Sequence, residues 1–284
     1  MYTTLITAQD LQQLLQTPQR VLLLDVRFDL NDATFGQQVY DVGHIAGAHY
    51  LHLDRELSGV VSGHNGRHPL PERKHLAHWL RNHGLNADTQ VVIYDQGSTM
   101  FAARAWALLR WLGHEAVAVL NGGLPAWLRA GGGLSTELPA QPQATDWQAG
   151  ESLLQVVSAD EVMANIPSQE ALVVDARSAE RFDGEPHPLD KVSGHIPRAA
   201  NLFFQLNFDA QQQFLDAEAL QKLWQAVAHG KPLIHQCGSG VTACVNLLAQ
   251  KHAGLGDGRL YVGSWSEWTS DNARPIVAAD SLAD

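Results

Sequence analysis

The chain is poor in cysteine, in positive charge and in long apolar runs. Cys237 and Cys244 are its two cysteines in 284 residues, too few for the disulfide framework of a small secreted domain. A helix between them would hold their ends ~10 Å apart, beyond the ~7 Å between Cα atoms that a disulfide tolerates. No Cys-x-x-Cys redox pair is present. Lys and Arg total 19 against 30 Asp and Glu, a formal net charge of −11. Nucleic-acid binders carry a basic face, so no nucleic-acid partner is expected. No 18-residue apolar run is present to span a membrane. Met1-Tyr-Thr-Thr-Leu-Ile-Thr has neither the basic start nor the apolar core of a secretory signal, and the expected location is cytoplasmic. The 14 histidines form no His-Glu-x-x-His pattern. His64, His68, His75 and His78 read as a solvated loop and helix face, and no metal is expected. Gly131-Gly-Gly follows a helical pattern and lacks a lysine, unlike a phosphate-cradling loop. No cofactor is implied.

What the chain does contain is itself, twice. Leu22-Leu-Leu-Asp25-Val-Arg27 returns as Leu172-Val-Val-Asp175-Ala-Arg177, and Gly43-His44-Ile45 returns as Gly194-His195-Ile196. Val91-Val-Ile-Tyr94-Asp95 parallels Pro232-Leu-Ile-His235-Gln236, and the stretch ending at Trp127 parallels the one ending at Trp268. Blocks matched in the same order mean two copies of one domain, and the length allows each its own core. In the first copy, helical spacing covers 8–16, 71–83 and 102–112. Short β-rich runs cover 21–25, 91–94 and 116–120. The second copy alternates likewise, with helices over 159–165 and 217–228 and a strand over 171–175. This alternation predicts an α/β fold, each domain a mainly parallel sheet flanked by helices. Glycine, proline and small polar residues without periodicity fill 131–150 and read as a linker. The domains are expected at 1–135 and 150–284.

The chemistry concentrates in Cys237-Gly-Ser-Gly-Val-Thr-Ala, between a short apolar run and a helix starting near Thr242. Gly238 and Gly240 free the backbone for dihedrals that a Cβ forbids, so that successive N–H groups form an anion-binding nest. A helix N-terminus at the same place lowers a thiol's pKa from ~8.5 towards ~3.5–7.5. The alternative, a small buried hydrophobe, fits poorly with two glycines and a serine as neighbours. In a gapless alignment Gln96 stands opposite Cys237, and a shift of one places Asp95 there. Neither is a thiol, so the first copy lacks the nucleophile and is expected to be a structural partner closing one wall of the site.

These residues resemble the tandem-domain rhodanese-type sulfurtransferases, in particular their 3-mercaptopyruvate branch, over nearly the whole chain. Cys237-Gly-Ser-Gly-Val-Thr-Ala is similar to the family's active-site loop. Asp25-Val-Arg, Asp175-Ala-Arg, both Gly-His-Ile segments and Val262-Gly-Ser-Trp-Ser-Glu-Trp268 are similar to its other signatures. The resemblance implies two rhodanese-like domains, the first inactive, and a persulfide on Cys237. It implies a small anionic donor, 3-mercaptopyruvate or thiosulfate, and a thiol or cyanide acceptor, with a thioredoxin-like protein among the candidates. Gly238, Gly240, Val241 and Thr242 would hold the anionic sulfur through their N–H groups, and Arg181 would bind the donor. Ser239 would act with a histidine and an aspartate of the first domain, for which His44 and Asp32 are the candidates. A backbone-bonded strand-entry residue is the other reading of His44 and of His195, and Arg27 and Arg177 read as structural ion-pair residues. The chain departs from the pattern at Leu189 or Asp190, where a second donor-binding arginine is expected.

Two other functions share part of this pattern. A cysteine phosphatase needs an arginine at the helix start for phosphoryl oxygens, but Ala243 and Cys244 stand there. A sulfur carrier serving one dedicated partner would use the same Cys237 nest.

Overall fold

The computed structural model describes residues 1–278. The chain forms two compact units. In the first, strands β1 (Leu5–Ile6), β2 (Val21–Asp25), β3 (His49–Tyr50), β4 (Gln90–Tyr94) and β5 (Val117–Leu120) alternate with helices α1 (Ala8–Leu14), α2 (Phe35–Val42), α3 (Arg73–Asn82), α4 (Met100–Trp111) and α5 (Gly123–Arg129). The second repeats the plan. Its strands are β6 (Gln155–Val156), β7 (Leu172–Asp175), β8 (Ala200–Asn201), β9 (Leu233–Gln236) and β10 (Arg259–Leu260). Its helices are α6 (Ala159–Ser168), α7 (Ala179–Phe182), α8 (Ala217–Ala228), α9 (Ala243–His252) and α10 (Ser264–Trp268).

Each unit has one five-stranded sheet, ordered β1-β5-β4-β2-β3 and β6-β10-β9-β7-β8, and every pairing is parallel. A parallel sheet is covered on both faces, so its central strands read as unbroken apolar runs; β4 is buried along its whole length. In the first unit Leu23, Val92, Tyr94 and Leu120 pack with Leu11, Leu124 and Trp127. In the second, Val173, Ile234, Tyr261, Trp265 and Trp268 form the corresponding core.

The two repeated motifs, Asp-x-Arg and Gly-His-Ile, have one explanation. Arg27 Nη2 lies 2.6 Å from Asp25 Oδ2 and donates to the Gly43 carbonyl at 2.7 Å. Arg177 does the same with Asp175 and Gly194, at 2.7 and 2.8 Å. Each buried pair thus ties the C-terminal end of a central strand to the next crossover, with charge-assisted bonds that keep the ions satisfied.

The expected α/β fold with mainly parallel sheets is present. The two-residue strands at the sheet edges went unforeseen because two residues cannot express a period. Helix α6 runs past Asn165 to Ser168, carrying Pro167 in its last turn, and stops at Gln169 in the left-handed region. Glycine and proline made 131–150 read as a linker, but these residues belong to the first unit. Its carbonyl at Gly133 accepts from Trp127 Nε1 at 2.9 Å, and Thr145 N–H donates to the Arg81 carbonyl at 3.0 Å. The units are also not collinear: residues 60–70 belong to the second, and 210–214 to the first. Among the described residues no helix is long and apolar enough to cross a membrane.

His235, on β9, is fully buried; its Nε2 lies 2.6 Å from Gln250 Oε1, and its Nδ1 has no partner among the described residues. Burial pushes its pKa down to about 4, so the folded protein keeps the ring neutral while an unfolded chain, with a histidine pKa of ~6.5, takes up a proton. Stability contributed by this group is therefore complete above pH ~6.5 and is lost as pH falls towards 4, by at most ~1.4 kcal/mol per pH unit. Thermal unfolding followed from pH 7.5 to 4.5 will show a shallower decline for His235→Gln than for the wild type.

Candidate active site

Cys237 sits at the C-terminal end of β9, where an open α/β sheet places its ligands, and is 2 % exposed. Its Sγ accepts the N–H of Ser239 at 3.4 Å and of Gly240 at 3.1 Å. These two donors, rather than the whole run to Thr242, are the ones bonded to the sulfur. Helix α9 follows at once and directs the positive end of its dipole at the loop. Cys244 lies inside that helix, fully buried, its thiol donating to the Gly240 carbonyl at 3.3 Å. Neither cysteine is in a disulfide.

The two glycines have different physical reasons. Gly240 has φ +79°, and a Cβ there would lie 2.1 Å from the Val262 carbonyl oxygen. Gly238 has no left-handed backbone, contrary to the expectation from sequence. A Cβ on it would lie 3.0 Å from the Nη2 atoms of both Arg181 and Arg67. Its hydrogen makes room for two guanidinium groups beside the nucleophile.

Arg67 and His68 were not foreseen. They belong to the 60–70 excursion, which reads as a solvated loop but is part of the second unit. Gly66, at φ +82°, is packed so closely that a Cβ would lie 2.7 Å from the Gly263 carbonyl oxygen. Arg67 N–H donates to Ser266 Oγ at 3.1 Å, and its Nη1 donates to the Leu189 carbonyl. Burial lowers the Arg67 pKa; Cys237 and Asp190 pull it up, and Arg181 and Arg177 push it down again. His68 is buried, with Nδ1 2.9 Å from Ser239 Oγ. The only hint in the sequence was an Arg-His pair bracketed by Gly66 and Pro69.

The histidine at Ser239 is therefore His68, not His44. His44 Nδ1 is 2.8 Å from the Tyr40 carbonyl and Nε2 is 3.1 Å from that of Glu137, and its ring stacks on Tyr40 at 3.9 Å. His195 repeats this arrangement on Phe182, at 2.8 Å to the carbonyl and 3.8 Å between rings. A role present in both repeats belongs to the fold, and both ring nitrogens of His44 are engaged by backbone. Asp32 lies in an exposed turn, its carboxylate accepting from Thr34 N–H and Oγ1 at 2.9 and 2.7 Å. Those bonds to Thr34 hold its carboxyl below the ordinary range, as an Asx turn requires.

Arg181 is placed at the loop as expected, but it is already paired. It donates to Asp190 through Nε at 2.8 Å and Nη2 at 2.7 Å, and Arg177 Nη1 reaches the same carboxylate at 3.4 Å. Burial alone would raise the Asp190 pKa; the hydrogen bonds and charge of Arg181, with Arg177 and Arg67, outweigh it and hold the carboxyl low.

The first unit has a nest without a thiol. Asp25 pairs with Tyr94 and Asp175 with Gln236 in their sheets, which makes Asp95, not Gln96, the counterpart of Cys237. Asp95 Oδ1 accepts the N–H groups of Gly97 and Thr99 at 2.8 and 3.0 Å, and Ser98 Oγ donates to Oδ2 at 3.2 Å. Burial raises its pKa against those donors. A built-in carboxyl group fills the place that the Cys237 sulfur takes in the second unit. Among the described residues no group of three or more His, Cys, Asp or Glu is placed to hold a metal ion.

The fold and the site define an α/β protein with a buried cysteine thiol on an N–H loop. The rhodanese-like domain profile matches residues 7–130 and 158–271, and the chain belongs to that family. It is 45% identical over 282 residues to a probable 3-mercaptopyruvate sulfurtransferase of Pseudomonas aeruginosa, covering 97% of this chain and 98% of the relative. It is 38% identical to the putative thiosulfate sulfurtransferase SseB of Mycobacterium tuberculosis, covering 96% of each. Among solved structures, 3-mercaptopyruvate sulfurtransferase from Leishmania major superposes with TM-score 0.85 at 30% identity, covering 96% of this chain and 76% of that one.

Two substitutions probe the nests. Gly240→Ala will cost at least ~1–3 kcal/mol through its left-handed backbone, with a further loss from the Val262 overlap, and will slow alkylation of Cys237; thermal unfolding and alkylation rates read both. Asp95→Ala leaves buried N–H groups without an acceptor and will lower stability by ~1–3 kcal/mol, measured by denaturant unfolding.

Proposed function

We propose that the protein is a sulfurtransferase that moves sulfane sulfur from 3-mercaptopyruvate to a thiol or cyanide through a persulfide on Cys237. The observation that carries this reading is the Cys237 sulfur held by two N–H groups at a helix start, with the Ser239–His68 pair on the same loop. Relatives named for this activity over nearly the full chain support it.

The Cys237 thiolate attacks the donor sulfur, an S–S bond forms and the donor's C–S bond breaks. The electron pair leaves on carbon as the enolate of pyruvate, which needs a proton. Ser239 supplies it, and its own proton is replaced from the new persulfide S–H by way of His68. The products are a Cys237 persulfide anion and pyruvate. The N–H groups of Ser239 and Gly240, preorganised around the sulfur, stabilise negative charge there without reorganisation. In the second half, an acceptor thiolate or cyanide attacks the outer sulfur and the Cys237 thiolate departs. Two covalent half-steps predict ping-pong kinetics. Cys237, Ser239 and His68 are the reacting set, with Gly238, Gly240, Val241 and Thr242 shaping the loop and Arg181 beside it. Two cysteines that form no disulfide suit a reducing, cytoplasmic setting.

Side-by-side turnover to cyanide tests the donor. kcat/KM from 3-mercaptopyruvate will exceed that from thiosulfate by roughly tenfold or more; the reverse order would make this a thiosulfate sulfurtransferase, and negligible rates with both would favour a dedicated carrier. Cys237→Ser will abolish transfer. His68→Ala will lower kcat with mercaptopyruvate by roughly 10²–10⁴ but spare thiosulfate, because sulfite leaves as a stable anion and needs no proton.

A further inference from the structure

Arg67 and Arg177 interact electrostatically with Cys237, Arg181 reaches the neighbouring Gly238, and Asp175 and Asp190 are the carboxylates paired with these arginines. Arg177 is paired with Asp175 and Asp190, and Arg181 is held by Asp190 along one edge of its fork. Arg67 makes no ion pair among the described residues; its one anchor at the guanidinium is the Leu189 carbonyl. The group therefore carries one positive charge in excess, and it resides on Arg67. Its Nη2 points at Gly238, the residue after the nucleophile, where the absence of a Cβ leaves room for it.

Resting on the sulfurtransferase reading, we infer that Arg67 is the cation that receives the donor's carboxylate and sets the preference for carboxylate-bearing sulfur donors. Position 189 offers no second arginine side chain. Instead its backbone carbonyl aims an arginine from 122 residues earlier in the chain. The close packing of Gly66 on Gly263 and the bond from Arg67 N–H to Ser266 fix the other end of that arginine. Arg181, with its charge answered by Asp190, is left as a positioning residue that holds Asp190 and the segment bearing Leu189.

The probe is a pair of alkylating agents that differ in charge. Iodoacetate carries a carboxylate and iodoacetamide does not; both react with the same Cys237 thiolate and release iodide. The ratio of their rates at Cys237 cancels the thiolate fraction and reads only the cation that receives the carboxylate. Arg67→Gln will lower that ratio by about tenfold at low salt, Arg67→Lys will lower it less, and Arg181→Gln will change it less than either. With 3-mercaptopyruvate, Arg67→Gln will raise KM while leaving kcat nearly unchanged. A ratio unaffected by Arg67→Gln, or lost on Arg181→Gln instead, overturns the inference; the retained charge of Arg67→Lys keeps the test decisive if the Gln variant folds poorly. The alkylation ratio needs no turnover, so its collapse in a protein that moves no sulfur would uphold Arg67 as the carboxylate cation while refuting the donor assignment.

Discussion

The sulfur of Cys237 is almost wholly buried, so any negative charge placed on it must be balanced locally, and that constraint shapes the second unit. Water contributes little at 2 % exposure, so the charge is met by two loop N–H groups, a helix start and a group of arginines. Arginines crowded together repel one another, and Asp190 stands between Arg177 and Arg181. Asp190 is held ionised by this surplus despite its burial. The strand-end pair Asp175–Arg177 thus serves twice, tying β7 to the Gly194 crossover as in the first unit and passing a contact on to Asp190.

The first unit solves the same electrostatic problem in a closed form. Its loop from Asp95 to Thr99 is one residue shorter than that from Cys237 to Thr242, and the carboxylate occupies the donors permanently. In the first unit the nest is filled by a carboxyl group of its own loop; in the second it holds a thiol, with space left by Gly238 and with Arg67 beside it. The two repeats therefore differ less in backbone than in which anion the nest contains and whether anything else can reach it.

Repetition also separates structural residues from reactive ones more safely than residue type does. His44 has the chemistry expected of a proton carrier, but its match in His195, with the same carbonyl bond and the same stacked ring, marks it as part of the fold. His68 has no counterpart in the repeat, and that asymmetry is the mark of a residue tied to the one loop that carries the thiol. Arg67 shares it.

The two copies, the parallel α/β plan, the Cys237 loop and the absence of a thiol from the first copy were legible in the linear chain. All of these rest on local signals: period, repeated blocks and the residues adjoining Cys237. The sequence placed α8 at its observed ends because Asp216 caps it and its apolar face is regular. Tertiary packing fixes which histidine meets Ser239, which arginine lies outside the ion pairs and which residue of the first unit stands in place of the cysteine. The 60–70 excursion leaves its own repeat to pack with residues nearly 200 positions later, and no local pattern records such a partner. Asp190, likewise, looked like a missing arginine until its bonds to Arg181 and Arg177 revealed it as the group that occupies them. Side chains brought together over long separations are set by packing, and packing is what a linear pattern does not contain.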